Sequence, residues 1–403
     1  MSNWSTRARS WLSVGLRSLI LIALIAGLVF RFGHLDRKVY QHDEAFTSMR
    51  ISGYAKTDIE QQLFTGRVIT AADIDRYQRP GPDRNLADAL RVLADYAEHP
   101  PLYYLMTRFW AQAFGSSVAT VRSLAALISL LIFPSLYWLC RSLYGSPKPA
   151  WIAIALVAVS PLHVLYAQEA RQYSLTAVMT VLTSAVLLFA LRRRTWLSWL
   201  AYAGALTLGL YSNLLFGLVA LAHAVYVVGA WRKLLWRYLQ ATALAVAAFV
   251  PWIAVVIVSF YRIRRFTRNS ELDLPALVKW WARNANNLFF DFHPSLEPYD
   301  PLRFDDVFLA PLAVALIAYA LYVIYRQTPK RIWLLVWSLT LVPVLPLALM
   351  DALQGGLRST AMRYVIPACI GIQLAVAFLL AAKLSVASRQ RRIWQGAARR
   401  LLP

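Results

Sequence analysis

The chain has 403 residues, 59% of them hydrophobic and 15% charged, with a formal net charge of +22. A soluble chain of this length would form two or three domains, but runs of roughly 17 to 23 apolar residues recur along its whole length and exclude a soluble fold. The positive charge sits in short linkers rather than on a soluble groove with interleaved aromatic residues, which excludes nucleic acid as a partner.

In chain order, ten apolar runs read as spans: 11–30, 118–140, 150–166, 174–191, 196–212, 214–230, 238–260, 307–325, 332–349 and 364–382. The first has no small-x-small cleavage site before Arg31 and reads as a retained signal anchor. The expected architecture is an all-α integral membrane protein, one multi-span domain over residues 1–403. Threading ten spans from an inside N-terminus places Arg141, Lys148, Arg192-Arg193-Arg194, Arg232, Lys233, Arg237, Arg326, Lys330 and Arg331 on the cytoplasmic side, together with a basic tail over 383–403. All twenty acidic residues then lie outside or at the outer edge. This one-sided distribution follows the positive-inside rule and sets both termini in the cytoplasm of a cell with an inner (plasma) membrane. The same basic linkers attract anionic membrane lipids.

The external segments are unequal. Residues 31–117 form the longest and 261–306 the second, so chemistry is expected outside. The first loop should hold three juxtamembrane helices, at 42–54, 85–98 and 100–114. Its middle helix shows apolar residues at helical spacing. The third opens on two prolines, stops at Gly115, and is short for a span, so it reads as interfacial. Cys140 and Cys369 fall near opposite ends of their spans and should not meet.

Several polar clusters stand out against this apolar background. His42-Asp43-Glu44 lies at the mouth of the first span; an ionised carboxylate there can take a proton from an attacking hydroxyl. The plain alternative is a helix start, with Asp43 as N-cap and Glu44 in the first turn. His99-Pro100-Pro101 either starts a helix or aims His99 at a site. Residues 160–173 form a hinge too polar for a mere connector. It holds His163, Glu169 and Arg171, and the planar fork of an arginine suits a phosphate; the alternative is an internal Glu169–Arg171 pair. Arg363-Tyr364 opens the last span, with Arg358 nearby as a second external cation. His223, inside a span, suits a helix–helix hydrogen bond. The histidines at 34, 42, 99, 163 and 293 lack metal-ligand spacing, so no cofactor is assigned and a divalent metal stays open. On residues alone, a transferase and a transporter or flippase of lipid-linked sugars both remain open.

The set of motifs in this order resembles the polyprenyl-phosphate-dependent sugar transferases of the GT-C fold, and most closely the bacterial glycosyltransferase family 39, which is protein O-mannosyltransferase-like. The matching residues are Asp43-Glu44, His99-Pro100-Pro101-Leu102-Tyr103-Tyr104, the segment 160–173 with its Gln168-Glu169-Ala170-Arg171 core, Tyr211-Ser212, and Arg363-Tyr364 with Pro367. Asn213 stands where many bacterial members have histidine. The second half of the chain is similar only in topology and in the late Arg-Tyr. The resemblance implies a GT-C-like bundle of about ten transmembrane helices and an inverting glycosyltransferase with an extracytoplasmic active site. Its donor is a polyprenyl-phosphate-linked sugar, and its acceptor a glycan, lipid or protein recognised by the external loops. It implies a catalytic Asp43, paired with Glu44, as general base. It assigns Arg171 and Arg363 to the donor phosphate, and His99, His163, Glu169 and Tyr364 to substrate.

Overall fold

The computed structural model describes residues 3–259, 274–291 and 308–400, with side chains described over 14–259, 274–291 and 308–384. Most of the 261–306 loop, including His293, and the side chains of the 383–403 tail beyond 384 therefore lie outside the described residues. Every described regular element is helical.

The first long helix, α1 (Asn3–Phe32), leads to a layer of short helices: α2 (His42–Ser52), α3 (Lys56–Leu63), α4 (Ala71–Asp75), α5 (Leu86–Asp95) and α6 (Leu102–Phe114). The bundle continues with α7 (Val118–Leu130), α8 (Ile132–Tyr144), α9 (Pro147–Val159), α10 (Pro161–Ala167), α11 (Tyr173–Arg193), α12 (Trp196–Ser212), α13 (Phe216–Ala230) and α14 (Leu235–Val258). Then follow α15 (Leu274–Asn287), α16 (Ala310–Gln327), α17 (Lys330–Leu341), α18 (Leu345–Gln354) and α19 (Ile366–Arg400).

The described parts of all ten apolar runs are largely helical, but they are not ten equal spans. Among the described residues seven helical stretches are long and apolar enough to cross a membrane, and the bent pair α9–α10 makes an eighth. At 17 and 15 residues, α12 and α13 are shorter than the ~20 residues a full crossing needs. The run at 150–166, read as one straight span, bends by 60°. The cause is local: Pro161 has no N–H to donate, and Ser160 before it is held extended, at φ −64° and ψ 124°.

The centre of the bundle is α11, buried along most of its length and packed against α8 and α12, with α7 and α19 alongside. At one end, linkers rich in arginine meet: Arg192 donates to the Ser142 carbonyl, and Arg331 lies 4.0 Å from the Trp231 ring centroid. His223 is buried between helices and bonded by Ser184 and Tyr202 at 3.0 and 3.1 Å. A close approach fixes α1 on α9, because a Cβ at Gly27 would strike the Ala158 carbonyl. Arg31, fully buried, donates to the carbonyls of Gly27, Ala158 and Val157. The Val157 carbonyl is the one that Pro161, lacking an N–H, cannot serve, so the break in α9 and the buried arginine belong to one arrangement.

The layer α2–α6 covers the opposite end. The third helix expected in the first loop, α6, lies against α2 and α7. Arg108 of α6 is buried and donates to the carbonyls of Ile51 and Arg84, which fastens the end of α2. On the bundle side, the indole of Trp252 donates to Ala97 at 3.1 Å and Ser259 to Ala94 at 3.1 Å.

Candidate active site

The helix start expected at Asp43 begins earlier. Gln41 is the extended N-cap residue, at φ −72° and ψ 156°, and Asp43 and Glu44 are the second and third helical residues. Glu44 turns back to accept from the Gln41 backbone N–H at 3.1 Å, half of a capping box. Asp43 is therefore not consumed as a cap.

The two acidic neighbours diverge because successive helical side chains point about 100° apart. Glu44 points inward and is 1% exposed. The Arg122 guanidinium meets it in a fork, Nε to Oε1 at 2.8 Å and Nη2 to Oε2 at 2.7 Å. The Ala170 N–H adds a bond to Oε1 at 2.9 Å. Arg122 also donates to the carbonyls of Leu35, Lys38 and Val39 at 2.7–2.9 Å. One buried pair thus ties the end of the first span, the start of α2, the α10–α11 hinge and α7. Glu44, grouped with Asp43 as catalytic in the sequence reading, has both oxygens occupied.

Asp43 points outward, with a side chain 41% exposed. Arg363 Nη1 lies 3.5 Å from Oδ2, and Arg171 Nη2 lies 4.0 Å from the same oxygen. Arg171 is 3% exposed. It also donates to the Asp43 carbonyl at 3.2 Å and the Thr47 hydroxyl at 3.3 Å. Its Nε has no hydrogen-bond partner among the described residues. Burial works to lower the Arg171 pKa, but Tyr104, Tyr173 and Asp43 outweigh it and raise the pKa further. Arg363 follows the same balance: burial lowers, while Tyr173, Tyr364 and Asp43 raise, with a net upward shift. Both remain cations at any accessible pH. The Tyr364 ring centroid is 5.4 Å from the Arg363 guanidinium.

The Glu169–Arg171 pair considered from sequence does not form. Glu169 faces Lys38 Nζ at 3.6 Å instead. Burial raises its pKa and Lys38 partly offsets that. Arg358 does not join Arg363 either; it pairs with buried Asp351 at 3.2 Å.

His99 is mostly buried, beside Glu98 at 3.7 Å and 5.9 Å from the Tyr104 ring centroid. Burial, then the charges of Arg50, Arg171 and Arg363, hold its pKa well below the ordinary histidine range. It is neutral at physiological pH and lies within the electrostatic reach of the cluster. His163 faces another space. It bonds Gln373 at 2.9 Å and lines a small cavity with Arg31, Ser129, Tyr166 and Tyr173. The two spaces are neighbours through Tyr173, whose ring centroid is 5.7 Å from the Arg171 guanidinium. Asn213 accepts from the Leu215 N–H at 2.9 Å and shapes the α12–α13 turn. Among the described residues no three His, Cys, Asp or Glu side chains converge as metal ligands.

Sequence reading missed Arg122, Lys38 and Arg50. The signal for Arg122 was present: an arginine inside an apolar run is costly unless paired, and a partner should be sought.

The profile of the dolichyl-phosphate-mannose-protein mannosyltransferase family matches residues 98–255, which include His99 and the 160–173 hinge. No curated protein matches by sequence. Among solved structures, ArnT from Cupriavidus metallidurans bound to undecaprenyl phosphate superimposes with a TM-score of 0.56 at 16% identity, covering 89% of this chain and 59% of that one. The oligosaccharyltransferase of Archaeoglobus fulgidus in its apo form gives 0.52 at 14% identity, covering 96% and 52%. The chain has the GT-C fold. It is a multi-pass membrane protein. It spans 59% and 52% of these two GT-C chains, so it corresponds to only part of their length. In this GT-C frame the Asp43–Arg171–Arg363 cluster lies where the layer of short helices meets the bundle.

Proposed function

We propose that the chain is an inverting glycosyltransferase that moves a sugar from a polyprenyl-phosphate donor to a hydroxyl acceptor on the extracytoplasmic face. The observation that carries this reading is the half-exposed Asp43 carboxylate standing between two permanent cations, Arg171 and Arg363. A base and an oxyanion site are thereby within one side-chain length of each other. The family match over 98–255 supports it. So does the shared fold with ArnT, whose structure holds undecaprenyl phosphate. The outer placement rests on the basic linkers gathered at the other end of the bundle.

The chemistry balances without a general acid. The acceptor hydroxyl gives its proton to Asp43 as its oxygen bonds to the anomeric carbon from the face opposite the phosphate. The bond from that carbon to the phosphate oxygen breaks, and its electron pair leaves with the polyprenyl phosphate. Arg171 and Arg363 hold the phosphate and stabilise the charge it gains. The transition state is oxocarbenium-like, and a single displacement inverts the anomeric centre. Glu44 and Arg122 are assigned a positioning role, since both are occupied by one another. His99, Glu169 and Tyr364 are assigned to the substrate cleft and His163 to the wall of the adjoining cavity.

The test is to give the purified chain a labelled polyprenyl-phosphate sugar and an alcohol acceptor in liposomes, then follow both products by NMR. Transfer with inversion is expected, with release of the lipid phosphate. Retained configuration would contradict the single displacement. Movement of intact donor between leaflets with no bond broken would favour a flippase instead.

A further inference from the structure

Arg50, on the last turn of α2, has no role in the reaction described above. It is 6% exposed, and among the described residues its Nε and Nη1 have no hydrogen-bond partner. Three aromatic rings surround its guanidinium, with centroids 4.5 Å away for Tyr96, 5.6 Å for Phe46 and 5.9 Å for Tyr104. Such rings favour a cation, but they do not replace a counter-charge for a buried one.

The carboxylates at the cleft face other groups, Glu98 among them, which lies 3.7 Å from His99. Lys38 faces Glu169 and Arg122 holds Glu44. Asp43 faces Arg171 and Arg363. A donor phosphodiester carries one negative charge, so together with Asp43 it neutralises Arg171 and Arg363. Arg50 is left over. It nevertheless neighbours the same cleft, for Arg50 and His99 both lie 5.9 Å from the Tyr104 ring centroid. His99 cannot serve as its counter-ion, being neutral, and its own Nδ1 also has no partner among the described residues. Tyr104 joins the two regions: its ring packs on Arg50 while its hydroxyl donates to Gln172 Oε1 at 3.2 Å, one residue after Arg171.

We infer that Arg50 anchors a second oxyanion, a carboxylate or a phosphate, carried by the acceptor or by the transferred sugar. The inference rests on the transferase reading and narrows its substrate class. The aromatic wall holds the guanidinium in place, and its unpartnered Nε and Nη1 are charged donors for oxyanion oxygens. Arg50 is thus a specificity-determining residue rather than part of the bond-making step.

Binding to the full-length chain in nanodiscs tests this. The probes are a short polyprenyl monophosphate, glucuronic acid, glycerol 1-phosphate, and glucose as the uncharged control. With the lipid phosphate bound, glucuronate and glycerol phosphate should bind the wild type better than glucose does. Arg50→Gln should weaken both anions by at least about tenfold, the effect of removing one partner of a buried charge contact. Arg50→Lys, which keeps the charge, should retain part of the affinity. Bound lipid phosphate in either variant shows that it has folded. Repeating the titration with a lipid-phosphate carrying a neutral hexose locates the source: persisting anion binding places the oxyanion on the acceptor, and blocked binding places it on the transferred sugar. If neither anion binds the wild type better than glucose, or if Arg50→Gln binds them equally well, the inference is overturned. Failure of the wild type to bind the lipid phosphate would overturn the transferase reading and this inference with it.

Discussion

Two adjacent carboxylates illustrate how much one helical step decides. Asp43 and Glu44 have nearly the same chemistry, yet one is half-exposed between two arginines and the other is enclosed by a third. Sequence proximity groups them; the 100° rotation separates them. Arg171 presents a similar lesson, because its partner is Asp43 and not the near-neighbour Glu169. Its fork is held by the Asp43 carbonyl and Thr47, which leaves an orientation that a lysine cannot reproduce. Arg171→Lys should therefore weaken donor binding by about tenfold or more even though the charge is kept. Titration with a polyprenyl monophosphate checks this. Unchanged affinity would reassign Arg171 to a structural role.

At the scale of elements, the Arg122–Glu44 pair is a latch between α7 and α2. Removing one partner of a buried pair leaves an unpaired charge and costs about 3–5 kcal/mol, whereas removing both costs much less. Glu44→Gln should lower the melting temperature by several degrees, and adding Arg122→Gln should recover part of the loss. Additive losses in the double variant would mean the two residues act independently. The apolar runs were legible as helices because hydropathy is a local property, and the motifs at 43–44, 99–101 and 160–173 were legible because polar residues are rare in this chain. The partners were not legible. Glu44 and Arg122 are separated by 78 residues, and Asp43 and Arg363 by 320, so only the packing of the bundle brings them together. The break at Ser160–Pro161 was written in the sequence as a proline, but the length of the apolar run concealed it.

For the whole molecule, the helices place two chemically different ends apart. One end gathers the arginine-rich linkers and the other carries the α2–α6 layer with the Asp43 cluster. The positive-inside rule then predicts the orientation. Reporter fusions at Lys148 and Arg193 should read cytoplasmic and a fusion at Asp83 external. An external reading at Arg193 would invert the bundle and move the cleft to the cytoplasm. The bent α9–α10 pair and the short α12 and α13 fit a bundle whose interior near the cleft is held by protein contacts rather than by uniform spans, as Arg31 and His163 illustrate.

The central claim is that Asp43 takes the acceptor proton, and the most direct measurement is the turnover of Asp43→Asn beside its donor affinity. Asparagine keeps the shape of the side chain, and the N-cap of α2 is supplied by Gln41, so the helix start is preserved. The ion pairs that Asp43 makes with Arg171 and Arg363 are long, at 4.0 and 3.5 Å, and Asp43 itself is 41% exposed. Removing a negative charge beside Arg171 and Arg363 should leave phosphate binding intact or tighter. Turnover of Asp43→Asn is expected to fall by about a hundredfold or more, the usual contribution of a general base, with donor binding retained. Near-normal turnover in Asp43→Asn would contradict it.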